Sequence, residues 1–140
     1  MNTLKIDLGV QEFSLNDSCT IAFNPTDASF IGKLYDAFDK LAKEQEEYEA
    51  KVKKLADAKE ILAFMIDQDK MMRGVIDGVF NVPVCEAVFG DMNVFALSNG
   101  GLPVWSNLML AVLDCCETDA KQKTAQTSKT MDKYLKKYHK

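Results

Sequence analysis

Nowhere in this chain is there a run of about 18 apolar residues, the length a membrane-crossing helix needs. The stretch from Met1 to Val10 lacks the basic-then-apolar order of a secretory signal. Histidine is almost absent. The one copy, His139, sits in the basic tail, a poor place to hold an imidazole in catalytic geometry, and we read it as an exposed tail residue. Four cysteines are present, Cys19, Cys85, Cys115 and Cys116, but none shows the short paired spacing of a zinc site. Adjacent Cys115 and Cys116 rarely bridge each other, so we read all four as buried, reduced thiols rather than a disulfide framework.

Other absences narrow the chemistry further. Asn99-Gly100-Gly101 is too short for a phosphate-binding loop and is not followed by Lys-Ser or Lys-Thr. Asp67 and Asp69 have no calcium-loop spacing around them. Glu46 and Glu47 are adjacent, which on a helix turns them to different faces, and Ser and Cys nucleophiles lack a base. The expectation is a chain that is not an enzyme, holds no cofactor and no metal, and acts by binding.

What is present is ordinary globular material: 140 residues, 47% hydrophobic and 27% charged, enough for one domain over 1–140 with a real core. Charge is divided unevenly. Residues 120–140 carry seven Lys and one Asp, a net of +6 within a chain whose total is −4, so the first 119 residues stand at −10. The basic end contains no Arg and its apolar positions follow helical spacing, which favours a solvated helical face over a nucleic-acid site.

Proline is missing from the whole stretch between Thr26 and Leu55, and the chain is organised around it. Asn24-Pro25-Thr26-Asp27 is a helix start, with Thr26 or Asp27 as the cap. Leu34, Phe38, Leu41, Gln45, Tyr48, Val52 and Leu55 then follow in alternating steps of four and three, a heptad seam with one polar interruption at Gln45. Such a stripe must pack on another helix, from this chain or another copy. Asp57 with Glu60 three residues on resembles a capping box, so the helix either breaks near Ala56 to Ala58 or runs on.

The remaining elements follow from punctuation. Leu4, Ile6 and Leu8 alternate with Lys5 and Asp7, and the alternation resumes at Phe13 and Leu15, which predicts a strand with a bulge or turn at Gly9. Asn16-Asp17-Ser18 supplies a turn and Thr20-Ile21-Ala22-Phe23 a returning strand. A second helix carries Ile61, Leu62, Met65, Ile66, Met72, Ile76 and Phe80 and ends around Gly78 to Asn81. Met65, Met71 and Met72 on it read as core or as an adaptable docking face. Pro83 opens a short helix closed by Gly90, and Ser98-Asn99-Gly100-Gly101 marks a turn or hinge. Trp105, Leu108, Met109, Val112, Leu113 and Cys116 mark a buried helix face, followed by a polar break or a continuation at Glu117-Thr118-Asp119.

The predicted fold is therefore mostly α with a small β element: an N-terminal β-hairpin or small meander in 1–24, a helical bundle or hairpin in 26–116, and a basic C-terminal helix in 117–140 that is mobile in the isolated monomer and orders on binding.

The order of these features resembles the tail assembly chaperones, small tail proteins of long-tailed bacteriophages and prophages. The resemblance is carried by Ile6-Asp7-Leu8-Gly9-Val10-Gln11-Glu12-Phe13, Phe23-Asn24-Pro25-Thr26-Asp27, the acidic helix after it, Val75-Ile76-Asp77-Gly78-Val79-Phe80, Val88-Phe89-Gly90-Asp91-Met92-Asn93, and Lys133-Tyr134-Leu135-Lys136-Lys137-Tyr138. These motifs are structural, not catalytic. The resemblance implies a mostly α protein, absent from the finished particle, that binds the tape measure protein and helps recruit major tail protein subunits during assembly. It further implies work in the cytoplasm of an infected or lysogenic host. Two other readings stand beside it: a tail or neck subunit retained in the virion, and a small host-directed phage regulator. The family offers no catalytic residues. The candidate protein-binding surface is Phe38, Leu41, Tyr48, Val52 and Leu55 on the stripe, with Tyr134, Leu135 and Tyr138 on the basic end, in a chain expected to form homo-oligomers; alternatively the stripe packs only on the helix from Ala58.

Overall fold

The computed structural model describes residues 1–138. Two strands, β1 (Gln11–Leu15) and β2 (Cys19–Phe23), pair antiparallel with Phe13 opposite Ile21. Asn16 and Asp17 between them both have positive φ, 50° and 57°, and Ser18 N–H donates to the Leu15 carbonyl. That is the primed turn whose twist matches paired strands, built from residue types that tolerate the left-handed region. Alternation turns Phe13, Leu15, Ile21 and Phe23 inward. Phe13 stacks on Phe23 at 4.8 Å between ring centroids, Phe23 on Phe30 at 4.4 Å, and Phe30 meets Phe80 at 6.1 Å. An aromatic ladder thus ties the hairpin to two helices, without which two strands would be marginal.

The strand pattern at Leu4 to Leu8 does not become a strand, and among the described residues the sheet is a two-stranded hairpin whose pairing begins at Gln11. Leu4, Ile6 and Leu8 are 86%, 77% and 69% exposed. The alternation is real but the sheet of two strands supplies this segment no third strand. Instead, Asp7 Oδ1 accepts the Gly9 N–H at 2.8 Å, Asn24 Nδ2 donates to the Leu8 carbonyl at 2.8 Å, and Gly9 adopts φ 68°. A side chain at Gly9 would stand 2.7 Å from Asn24 Nδ2, so this junction requires glycine on two grounds.

Four helices follow among the described residues: α1 (Ala28–Lys54), α2 (Ala58–Phe80), α3 (Val84–Phe89) and α4 (Val104–Tyr138). Asp27 caps α1 by accepting the Ser29 N–H at 2.9 Å, while Asn24 Oδ1 accepts from both the Thr26 N–H and its hydroxyl. The long helical stretch breaks where the capping signal sits. Leu55 is extended, its N–H bonding back to the Lys51 and Val52 carbonyls, and the Asp57 carboxylate accepts the Lys59 N–H at 3.3 Å to start α2. α2 stops at left-handed Asn81, α3 starts after Pro83, and Gly90 ends it with φ 56°. At Glu117-Thr118-Asp119 the last helix simply continues.

α1 and α2 pack side by side, α4 packs on α1, and the core between them holds Leu34, Leu41, Met72, Ile76, Val94 and Met109 with no exposed surface. α3 and the segment to Trp105 close one side, placing Val84, Cys85 and Phe95 inside. Met72 is core, and Met65 and Met71 pack half-buried against it. No helix among the described residues is long and apolar enough to cross a membrane.

Candidate interaction surface

Every second step of the heptad stripe faces this chain's own core. Leu41 is 0% and Tyr48 8% exposed, while Phe38, Val52 and Leu55 are half-buried. Tyr48 lies between two rings: it stacks on Phe95 at 3.8 Å and 6° and on Phe64 at 5.8 Å and 14°, with Lys51 Nζ 4.7 Å over the far ring. Burial pushes the Tyr48 phenol above its ordinary value. Phe38 meets Trp105 of α4 at 5.7 Å, and the polar interruption at Gln45 has a partner there, its side-chain oxygen accepting Trp105 Nε1–H at 2.8 Å. Leu41 and Tyr48 therefore lie in the chain's own core, where α2, α4 and the Phe95 loop supply the second layer that the stripe requires.

A polar clamp fixes that loop. Arg73, the only arginine in the chain, binds Asp69 through Nε at 2.9 Å and donates through Nη2 to the carbonyls of Gly90 and Met92 at 2.8 and 2.7 Å. Asp69 accepts the Val94 N–H at 2.7 Å with its other oxygen, and Asn93 Nδ2 donates to the Met65 carbonyl at 3.0 Å. Beside it, Asp77 accepts the buried Cys85 N–H. Desolvation first, and then the Asp77 charge, push the Cys85 thiol far above its ordinary value. Cys116 and Cys115 are raised for the same leading reason. The buried Cys85 thiol is held in its protonated form. The clamp sits on α2 at i,i+4 spacing, a signal present in the sequence but not singled out there.

The surface that remains open is of two kinds. The first is the outer half of α4, where all residues from Lys121 to Lys133 are exposed and Met131 and Leu135 present apolar side chains one turn apart among the lysines. Leu135, at 48%, is the proposed contact residue that stands free. The Tyr134 and Tyr138 side chains, and His139, lie outside the described residues. Leu62 and Ile66 on α2 are also exposed.

The second is a trough along one face of α4. A cavity of about 480 Å³ opens between Leu15, the α3 residues Val88 and Phe89, and Leu108 on α4. It is followed by a smaller one under the hairpin, lined by Phe13, Ile21, Ala111 and Cys115. The depression continues past Cys115 and Thr118, and ends between the segment before β1 and Asp119, Gln122 and Gln126. Asp119 marks that end: one carboxylate oxygen accepts from Gln11 Nε2 at 3.4 Å and the other is buried without a partner.

Comparison with protein-family models, with curated proteins and with solved structures finds no match.

The geometry alone therefore describes the site. Among the described residues no group of three His, Cys, Asp or Glu side chains is placed to hold a metal ion. The trough is lined mostly by apolar groups beside and under the hairpin and by polar groups at its Asp119 end. What these surfaces can do is seat another chain: a helix along the Lys-rich end of α4, or an extended segment in the trough.

Proposed function

We propose that this chain is an assembly chaperone of a long-tailed phage or prophage, which binds the tape measure protein and helps gather major tail protein subunits around it. One observation supports this reading most directly. α4 buries its first half in the core and, among the described residues, leaves 121–133 exposed, with Met131 and Leu135 standing among lysines. A long helical partner that exposes apolar stripes before assembly offers the matching surface, and many weak helical contacts along one partner add through effective concentration. The net +6 of residues 120–140 fits an acidic partner, and it would bring copies to such a partner faster at low salt. On this reading the protein acts in the host cytoplasm and leaves before the particle is complete.

The test is solubility of the tape measure when expressed with the full chain, with the Leu135→Glu variant, and alone. The tape measure should stay in solution only with the full chain, and Leu135→Glu should return most of it to the pellet while the variant itself remains folded. A tape measure equally insoluble in all three contradicts the proposal. Finding this protein in purified particles would instead favour a retained tail or neck subunit.

A further inference from the structure

The segment that failed to become a strand retains everything a strand needs except a partner. Its even positions, Leu4, Ile6, Leu8 and Val10, are apolar and all exposed, while Thr3, Lys5 and Asp7 are polar. β1 has the complementary vacancy. It pairs with β2 on one side only, so among the described residues its other edge carries unpaired backbone groups, and it stands over the trough along α4.

We propose that two copies of this chain exchange these segments, residues 3–8 of each lying antiparallel on the free edge of β1 of the other, with Leu4 and Ile6 turned into the trough. The occupant follows from register. Facing the apolar side inward requires even positions of the segment opposite Gln11, Phe13 and Leu15, because a shift of one residue turns every side chain outward. Among those registers, one sets Leu4 opposite Phe13 and Lys5 opposite Glu12, an opposite-charge pair on the exposed face. In that register Leu8 stands opposite Gly9, so the same chain cannot form it: no residue would be left for a turn. A second copy can, provided the chain stays kinked at Gly9 (φ 68°), where the twofold axis passes between Leu8 and Gly9 and the inward face changes from even to odd positions, repeating both pairs. The hairpin open to the chain itself, turning at Gly9-Val10, sets Asp7 against Glu12, a like-charge pair. Length agrees as well. Six extended residues span about 20 Å, and the trough from Val104 to Gln122 runs about 27 Å along α4.

This inference does not depend on the chaperone reading, and its test needs no phage partner. Light scattering on the full chain should give twice the monomer mass. Ile6→Glu, an exposed position in the single chain, should give a folded monomer by circular dichroism. Lys5→Glu should raise the dimer dissociation constant about tenfold, and adding Glu12→Lys should restore it. Under mild oxidation Leu4→Cys should form a covalent dimer with Cys115, lost in Leu4→Cys/Cys115→Ser. A monomeric full chain overturns the proposal, as does a dimer indifferent to Ile6→Glu or a Leu4→Cys protein that yields no dimer through Cys115.

Discussion

At the scale of single residues, three side chains decide how much of the chain is core. Tyr48 stacks between Phe95 and Phe64, so replacing it with Glu places a carboxylate among rings rather than on a surface. We expect Tyr48→Glu to lower stability by about 3 kcal/mol or more in urea unfolding, and Leu41→Ala by about 2–5 kcal/mol. Arg73 is the second. A lysine cannot reach Asp69 and two carbonyls from one planar fork, so Arg73→Lys should cost about 1–3 kcal/mol and raise hydrogen exchange in residues 90–95 before the helices. The third is Cys85. Its folded thiol holds its proton well above the ordinary value of 9.0, so the unfolded chain gives up that proton first as pH rises. The stability this provides is complete below about pH 9 and falls as pH climbs beyond it, with Cys115, Cys116 and Tyr48 adding in the same direction. The urea midpoint should therefore drop between pH 8.5 and about 10.5, and less so in Cys85→Ala.

At the scale of elements, what the sequence made legible was local chemistry. The Asp27 and Asp57 caps, the stops at Asn81 and Gly90, and the Asn16-Asp17 turn all stand where short-range hydrogen bonding requires them. Whether a periodic stripe is covered was not legible, because periodicity says which side chains share a face and nothing about what lies opposite. The seam through Leu41 and Tyr48 met α2 and α4 of its own chain, while Leu62, Ile66, Leu4 and Ile6 met nothing. Gln45 shows the same limit. Its polarity looked like an interruption until Trp105, far along the chain, gave it a donor. Asp57→Ala should cost about 0.5–2 kcal/mol and shift the start of α2 without disturbing the hairpin, read by amide exchange at residues 58–62.

At the scale of the whole molecule, the chain joins a closed body to two open extensions. The body is tied by the aromatic ladder from Phe13 to Phe80 and by the Arg73 clamp; the extensions are the segment before β1 and the outer half of α4. Both present exposed apolar residues that other chains can cover. On the proposed function, the α4 extension holds a long helical partner. The most direct measurement of this is the mass, by light scattering after size-exclusion chromatography, of the full chain co-expressed with a tape measure protein. Several copies of this chain should be found on each tape measure, and they should be lost when residues 121–140 are removed. Elution of the two proteins apart, or a complex unchanged by that removal, would contradict it.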